Sequence, residues 1–479
     1  MNKYFKNFVL SVANTVMMLL FSTVTFPYVS RLLGPSNLGI INFAQSYGYY
    51  FIHIANFGIS SYAIREVSKV REDKIKVEQI SNEIFNLNLF FSICSTVLYF
   101  CSVFFVPNFR NNLAVFALYS IVVVSNFLSL DWLLQSFDDY AFSTIRNLVI
   151  RFLSLIAVFI FVKREEDYII YMAIICVTEM GTKGSALLYC RRNYTTLKVG
   201  LRFLNFTSHI KSMFVLFISR LVSGISANLD KLMIGFLLVY ENVGVYSAGV
   251  KFVVLIQPIV EMVGIVLFPK INISANTSEE DYYRNLKLNY DIILLLGIPM
   301  AVGMFLVSGR LIPLFAGEKY RNAIAVSRIM SAIIFLGPIG DLIGSKILLV
   351  FKKERWLLIC SAIAAISNVL LNYIFIPLWG INGAATASIL SCGVVVVMRY
   401  YFSRKIVRVS LLTGSMVKYA VFTIPFIVIY IILRTQIDTE TLWMIVFVLV
   451  CVVIYSTELL ISKDDLVTMM IDKVCRKKK

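Results

Sequence analysis

Long uninterrupted runs of apolar residues dominate the chain, and short polar segments separate them. When a few residues of error are allowed at each boundary, each run is long enough to cross the hydrocarbon core of a bilayer as a helix, which takes about 20 residues. The runs lack the alternation of polar and apolar positions that a barrel strand needs, so we expect helices. Fourteen spans are predicted, near 8–30, 39–63, 82–106, 113–135, 142–162, 168–190, 210–237, 244–268, 288–309, 322–350, 356–376, 383–402, 419–433 and 441–461.

Composition agrees with this pattern. The chain has 479 residues, of which 59% are hydrophobic and 15% are charged, whereas soluble domains carry about a quarter charged residues. The first span is too long for a signal-peptide core and no small-residue cleavage site follows it, so we expect it to be retained. The sequence therefore predicts an all-α integral membrane protein with about 14 transmembrane helices.

Basic residues are distributed unevenly between the two sides of the predicted spans. With the N-terminus placed in the cytoplasm, 28 lysines and arginines lie in inner segments and 8 in outer segments. This bias follows the positive-inside rule. An even number of spans then places both termini in the cytoplasm. The net charge of +17 is explained by inner loops that contact anionic lipid, so we expect no nucleic-acid partner.

The remaining nine basic residues lie within spans, and acidic residues lie there too. Charges at this depth are costly, so they should face the interior of a helix bundle or a water-filled cavity. For Arg146, Lys346 and Arg399 we expect instead that the side chains extend toward the membrane surface. The other charged residues of the spans considered as candidates are Arg151, Lys183, Arg220, Lys231, Lys251, Arg328, Asp131, Glu179, Asp230, Glu261 and Asp341.

Helical periodicity groups some of these charges. Glu179 and Lys183 are four residues apart and share a helix face, so a structural ion pair is one interpretation. Arg220 and Lys231 share a face with small residues between them, which indicates one wall of a polar cavity. Lys251 lies in the next span, with Glu261 nearby.

The sequence also contains an internal repeat. LLGPSNLGIINFA at 32–44 aligns with LLVYENVGVYSAG at 237–249, matching Asn37 with Asn242 and Gly39 with Gly244. FRNNLAV at 109–115 aligns with YRNAIAV at 320–326. Six spans per repeat predict two parallel six-helix lobes related by a pseudo-two-fold axis along the membrane normal. The predicted divisions are 1–206 and 207–410 for the lobes, and 411–479 for helices 13 and 14 with a basic tail.

Several motifs give the chain a family resemblance. It resembles the Wzx-type polysaccharide repeat-unit flippases, which belong to the multidrug/oligosaccharidyl-lipid/polysaccharide exporter superfamily. The resemblance covers about residues 5–410. The segments that carry it are FPYVSRLLGPSNLGIINFA (26–44), NFGISSYAIREVSKVRED (56–73), DWLLQSFDDY (131–140), NLDKLMIGFL (228–237), VGVYSAG (243–249), LFAGEKYRNA (314–323) and GINGAATASIL (380–390).

This resemblance implies a central cavity and a cargo. The cargo would be a polyprenyl-diphosphate-linked oligosaccharide of O-antigen or capsule type, moved from the inner to the outer leaflet of the bacterial inner membrane. The excess of basic residues in the spans independently suits a diphosphate, since arginine pairs with phosphate through two hydrogen bonds. The candidate substrate-binding residues are Arg220, Lys251, Arg31, Lys231, Arg151 and Lys183.

Arg31 is a candidate because it precedes Gly34 and Pro35, where we expect the first helix to unwind. ATP-driven transport is not expected, because the sequence lacks a Walker-type loop, and no cofactor is expected. Coupling to H+ or Na+ would need a membrane carboxylate, and the candidates are Asp230, Glu261 and Glu179. Membrane lipids and other polysaccharide-assembly proteins are further expected partners.

Other functions remain as alternatives. A multidrug exporter or a lipid II flippase of the same superfamily would share the architecture, although organic-cation export favours acidic cavities. A membrane polysaccharide polymerase or glycosyltransferase would represent a different class. The chain has 2 histidines, no Asp-x-Asp and no long outer loop, so an enzyme and a metal site are not expected. The 8 cysteines are interpreted as small apolar residues of the core.

Overall fold

The structure is a computed structural model that describes residues 3–407, 410–411, 413–437 and 439–468. Within some helices it describes the backbone alone, and the side chains of 3–20, 22, 108, 219–227 and 263 lie outside the description. Over the described ranges the chain forms helices and turns and no strands. The all-helical membrane fold predicted from the sequence is confirmed.

In the part of the chain that the structure describes, sixteen α-helices follow the predicted spans in order. Nine helical segments in the described part of the chain are long and apolar enough to cross a membrane. The helices are α1 (Lys3–Asn56), α2 (Ile59–Lys69), α3 (Lys74–Phe105), α4 (Leu113–Val124), α5 (Asp131–Ser136), α6 (Tyr140–Phe161), α7 (Tyr168–Asn193), α8 (Phe206–Leu237), α9 (Tyr240–Thr277), α10 (Glu279–Ala316), α11 (Ala323–Met330), α12 (Ile333–Asp341), α13 (Glu354–Ser403), α14 (Gly414–Val421), α15 (Ile424–Gln436) and α16 (Glu440–Ile461).

Two of these helices each carry two predicted spans. In α1 the backbone leaves the helical region at Gly34, with φ 72° and ψ 174°. In α13 it does so at Gly380, with φ 57° and ψ −136°. Positive φ is easily reached by glycine because it has no Cβ, and Pro35 removes a helical hydrogen-bond donor directly after the first break. The interruption predicted at Gly34 and Pro35 is confirmed.

Two other spans are irregular, which hydropathy does not reveal. The fourth span changes from α4 to a 3-10 turn at Ser125–Leu128 and resumes as α5. The tenth span runs through α11 and α12 and then becomes a π-helix at Leu342–Leu349. Mid-helix departures of this kind often mark functional sites, and both irregular segments lie beside charged residues.

Polar side chains fix the starts of several helices. Asp73 accepts hydrogen bonds from the backbone N–H groups of Ile75 and Lys76 and begins α3. Asp139 similarly caps α6, and Ser278 caps α10. These side chains satisfy N–H groups that have no partner within the helix.

The described chain forms two compact units, which divide after Gly244. In the first unit, Met1–Gly244, α1 packs against α3, α4, α6 and α8, and α2 packs against α5 and α8. In the second unit, Val245–Lys479, α10 packs against α11, α12, α14 and α16, while α13 covers α11, α12 and the π-helix. The sequence repeat predicts a different division, into six-helix lobes that meet between residues 206 and 207, and that division stays a prediction.

Candidate functional site

An ion pair between a buried arginine and a half-exposed aspartate joins the fourth and fifth spans of the first unit. Arg146 Nη2 lies 2.9 Å from Asp131 Oδ1. The arginine side chain is 4% exposed and the aspartate side chain is 46% exposed. Asn147 accepts two further hydrogen bonds from the same guanidinium. The expectation that Arg146 extends to the membrane surface is therefore wrong, because a carboxylate 15 residues earlier binds it within the bundle.

Lys183 lies close to this pair. Its ammonium donates to the carbonyl oxygen of Val122 at 3.0 Å and does not form an ion pair with Glu179. Glu179 and Asp131 are the acidic groups in its electrostatic environment. Arg151, on α6, has a buried Nε without a hydrogen-bond partner among the described residues. The first unit therefore holds basic groups in its spans that paired acids do not individually neutralise.

Helix α8 contributes a second polar region of this unit. Lys231 Nζ donates to Asn228 Oδ1 at 3.4 Å. The neighbouring Asp230 is 8% exposed and lies near Tyr50 of α1. The backbone of Arg220 belongs to α8, but its side chain lies outside the described residues. The cationic stripe between Arg220 and Lys231 consequently stays a prediction.

Arg31 is exposed and lies one helical turn before the break at Gly34. This location agrees with the predicted unwinding, although it does not test whether Arg31 binds cargo. Lys251 is half-buried in α9.

A corresponding arrangement of charges occurs in the second unit. Lys346 Nζ lies 2.6 Å from Asp341 Oδ2, and the side chains are 5% and 54% exposed. Glu261 accepts a hydrogen bond from Gln257 at 2.8 Å and has Asp341 and Lys346 as its charged neighbours. Arg399 donates to the carbonyl oxygen of Gly340 at 2.8 Å. Lys346 is thus bound inside the bundle, so its expected extension to the surface is wrong.

The π-helix explains how Asp341 and Lys346 meet. They are five residues apart, and an α-helix places residues three or four apart on one face. A π-helix forms hydrogen bonds between residues five apart, which brings this pair onto the same side. Asp131 of the first unit precedes Asp341 by 210 positions, close to the offsets of the sequence repeat. Each unit therefore uses a half-exposed aspartate of a corresponding span to hold a buried cation.

Sequence reasoning missed two polar groups. Asn289 is fully buried on α10, and neither its Oδ1 nor its Nδ2 has a partner among the described residues. A Cβ atom added to Gly264 would lie 3.2 Å from Lys346 Nζ and 3.6 Å from Asn289 Nδ2. The absence of a side chain at Gly264 therefore leaves space beside both groups. The only available signal was an asparagine within an apolar span.

The second missed group is a hydrogen-bonded triad. His209 Nδ1 lies 2.7 Å from the Tyr62 hydroxyl, and its Nε2 lies 2.7 Å from Glu83 Oε2. The triad connects α2, α3 and the first turn of α8, and all three side chains are largely buried. Since its members come from three distant segments, no sequence spacing could indicate it.

No cluster of three or more histidine, cysteine, aspartate or glutamate residues suitable for a metal ion occurs in the part of the chain that the structure describes.

Comparisons with known proteins define the class. Residues 5–274 match the family described as "Polysaccharide biosynthesis protein". An Escherichia coli (strain K12) protein, proposed to be an O-antigen transporter, is 22% identical over 333 residues, covering 69% of this chain and 80% of that protein.

Two solved structures share the fold. The lipid II flippase MurJ in an inward closed conformation has a TM-score of 0.78 and 16% identity, covering 96% of this chain and 100% of MurJ. An inward-facing MATE multidrug resistance transporter of the MOP superfamily has a TM-score of 0.60 and 14% identity, covering 82% of this chain and 94% of its own. At these identities the likeness concerns the fold.

The fold and the charged spans define a multi-pass membrane protein with the architecture of the MOP-superfamily transporters. The chain belongs to the polysaccharide biosynthesis protein family. The resemblance to the Wzx-type flippases, drawn from the sequence motifs, is confirmed at this level.

Proposed function

We propose that this protein moves polyprenyl-diphosphate-linked oligosaccharide repeat units from the inner to the outer leaflet by alternating access. The observation that carries the proposal is the hydrogen bond of Lys183. This lysine lies in an apolar span, and its ammonium donates to a backbone carbonyl instead of a carboxylate, so its charge remains available to an anion. Family membership and the relation to a protein proposed to transport O-antigen support the same cargo class.

A diphosphate needs several cationic partners, because an isolated anion is costly to place at membrane depth. Arginine supplies two parallel hydrogen bonds to a phosphate, and lysine supplies a point charge. We assign this role to the six basic candidates. They are Arg31, Arg151, Lys183, Arg220, Lys231 and Lys251.

Energy coupling would use a carboxylate in the spans. Glu261 lies beside the buried Lys346 and Glu179 beside the half-buried Lys183, and Asp230 adjoins Lys231. Uptake or release of H+ or Na+ at such a carboxylate would change the local charge and thereby the affinity for the diphosphate.

We propose the bacterial inner membrane as the location, with both termini in the cytoplasm and with other polysaccharide-assembly proteins as partners. Cysteines placed singly at Lys198 and Lys319 test this orientation. Position 198 should be labelled from the cytoplasmic side and position 319 from the outer side. Labelling of position 198 from the outside alone would overturn the topology.

Lys183→Gln tests the function, since it keeps a hydrogen-bonding side chain and removes the charge. Surface display of the glycan, divided by the amount of protein in the membrane, should fall about tenfold or more, the effect of losing one charge-assisted contact. Lys69→Gln is the matched control, because Lys69 is exposed and pairs with Glu66 on the surface. Normal display with Lys183→Gln would exclude a role for this lysine in transport.

A further inference from the structure

A polar cavity of about 550 Å³ lies within the second unit. It is formed by the junction of α9 and α10, the beginning of α14 and the segment that follows α16. Its volume falls within the range of sites for small ligands. The charged residues that line it are Lys270, Arg284, Lys287, Lys418, Asp291, Asp464 and Asp465.

Hydrogen bonds hold the walls of this cavity in place. Asp464 is 4% exposed and accepts from Lys418 Nζ at 2.6 Å and from the Tyr419 hydroxyl at 3.2 Å. Its other oxygen accepts from the backbone N–H groups of Leu466 and Val467. Burial alone would raise the pKa of Asp464, but the hydrogen bond and charge of Lys418 hold that pKa below its ordinary value. Asp464 therefore stays ionised and is fully engaged in fixing the wall.

Asp291 has a different environment. It is 7% exposed, it lines the cavity, and its Oδ1 has no hydrogen-bond partner among the described residues. A buried carboxylate oxygen without a donor is unfavourable. The inner part of the cavity therefore presents an acceptor suited to a cationic donor.

The outer part of the cavity carries the opposite charge. Lys270, Arg284 and Lys287 are exposed, so they lie at its mouth. Arg284 also contacts Asp281, which leaves the two lysines as the main cationic groups. Under the orientation proposed above, which rests on the basic residues, the mouth is at the level of the cytoplasmic lipid headgroups.

We propose that this cavity binds the headgroup of a zwitterionic aminophospholipid, with its phosphate at Lys270 and Lys287 and its ammonium at Asp291. The ammonium is the far end of such a headgroup, so it enters the protein while the phosphate stays at the mouth and the acyl chains stay in the bilayer. Phosphatidylglycerol would place its phosphate at the same lysines, but it carries neutral hydroxyls where the ammonium would be and cannot form the ion pair with Asp291. The site is separate from the transport residues named above.

Native mass spectrometry of the purified full-length protein tests the proposal. After delipidation, phosphatidylethanolamine and phosphatidylglycerol with identical acyl chains are added at equal concentration. We expect phosphatidylethanolamine to be retained about fivefold more, the effect of one additional charged hydrogen bond. Equal retention of the two lipids would overturn the proposal without any variant, and it would leave the proposed transport function untouched.

Two variants locate the site. Asp291→Asn should lower retention of phosphatidylethanolamine about fivefold and leave phosphatidylglycerol unchanged, whereas Lys287→Gln should lower both. Glu280→Gln is the control, since Glu280 is an exposed acid of the same helix that does not line the cavity. Unchanged lipid retention in Asp291→Asn would refute the assignment of the ammonium.

A competition experiment distinguishes a lipid from a soluble ligand that carries the same phosphate and ammonium groups. Glycerophosphoethanolamine carries the phosphate and the ammonium without acyl chains. We expect it to displace the lipid only at concentrations far above those of phosphatidylethanolamine, because it lacks the apolar contacts that acyl chains make with the membrane-facing surface of the protein. Equal potency of the two compounds would show that the site serves a soluble phosphoethanolamine and not a lipid.

Discussion

Gly39 and Gly244 lie backbone to backbone, just after the break of α1 at Gly34 and in the first turn or two of α9. A Cβ atom on Gly39 would lie 1.8 Å from the carbonyl oxygen of Tyr240, and one on Gly244 would lie 2.1 Å from that of Pro35. These two glycines are also the pair that the sequence repeat aligns. Only residues without a side chain permit such an approach of two helices.

Gly39→Ala and Gly244→Ala should each destabilise the protein by about 1–3 kcal/mol, because the added methyl group forces the two helices apart. Thermal unfolding in detergent measures the effect, and glycan display should fall in parallel. Gly303→Ala is the control, since a Cβ atom there would meet nothing within 4 Å and helical alanine is favoured over glycine. Equal melting temperatures in all three variants would contradict the close contact.

Arg220→Ala should abolish glycan display while the protein still accumulates in the membrane. Arg220→Lys should restore display only in part, because a point charge replaces a guanidinium that can form two parallel hydrogen bonds. The measurement is surface display of the glycan, divided by the amount of this protein in the membrane. If Arg220 instead has a structural role, the alanine variant will be lost from the membrane. Normal display at normal level would exclude both roles.

Asp341→Ala should cost on the order of 3 kcal/mol, because it leaves the ammonium of Lys346 buried without its partner. Lys346→Met should cost less, since Asp341 is 54% exposed and can be solvated. The double variant should be more stable than Asp341→Ala alone. Unfolding midpoints of the three proteins provide the comparison, and additive losses would show that the pair is not coupled.

Tyr62→Phe should destabilise the first unit by about 1 kcal/mol, the net value of a typical hydrogen bond, since Nδ1 of His209 loses its partner. Glu83→Gln should be tolerated better, because the amide oxygen still accepts from Nε2. His209→Phe should cost more than either change, as it leaves both partners unpaired. Melting temperatures in that order support the triad, whereas a more stable His209→Phe variant would contradict it.

The sequence was informative where local chemistry determines the structure. Apolar runs identified the helical spans, and Gly34 followed by Pro35 identified the break in α1. It was misleading for Arg146 and Lys346, which were expected to extend toward the membrane surface. The partner of Arg146 lies 15 residues away, and the partner of Lys346 is five residues away across a π-helix. Neither distance fits the helical spacing by which ion pairs are usually recognised in sequences.

The sequence predicted which charged residues belong to the candidate site, but it did not predict the groups that they contact. Counting the charges in the spans located Lys183, Arg151 and Glu261, because charges at such depth are rare. Their partners were not predictable, since Lys183 uses a backbone carbonyl and Glu261 uses an amide. Backbone groups carry no signal in the sequence, and an amide is as often a link between helices as part of a site.

The π-helix at Leu342–Leu349 ties the five-residue spacing of Asp341 and Lys346 to the length of the chain in this segment. Each hydrogen bond there encloses one residue more than in an α-helix. Deleting a single residue between Leu342 and Ser345 would let the segment close as an ordinary α-helix and would shorten the spacing of the pair from five residues to four. A relative that keeps both charges but has one residue fewer in this segment would therefore pair them four residues apart in an ordinary α-helix, so alignments of this span should be compared by gap position before they are compared by charge.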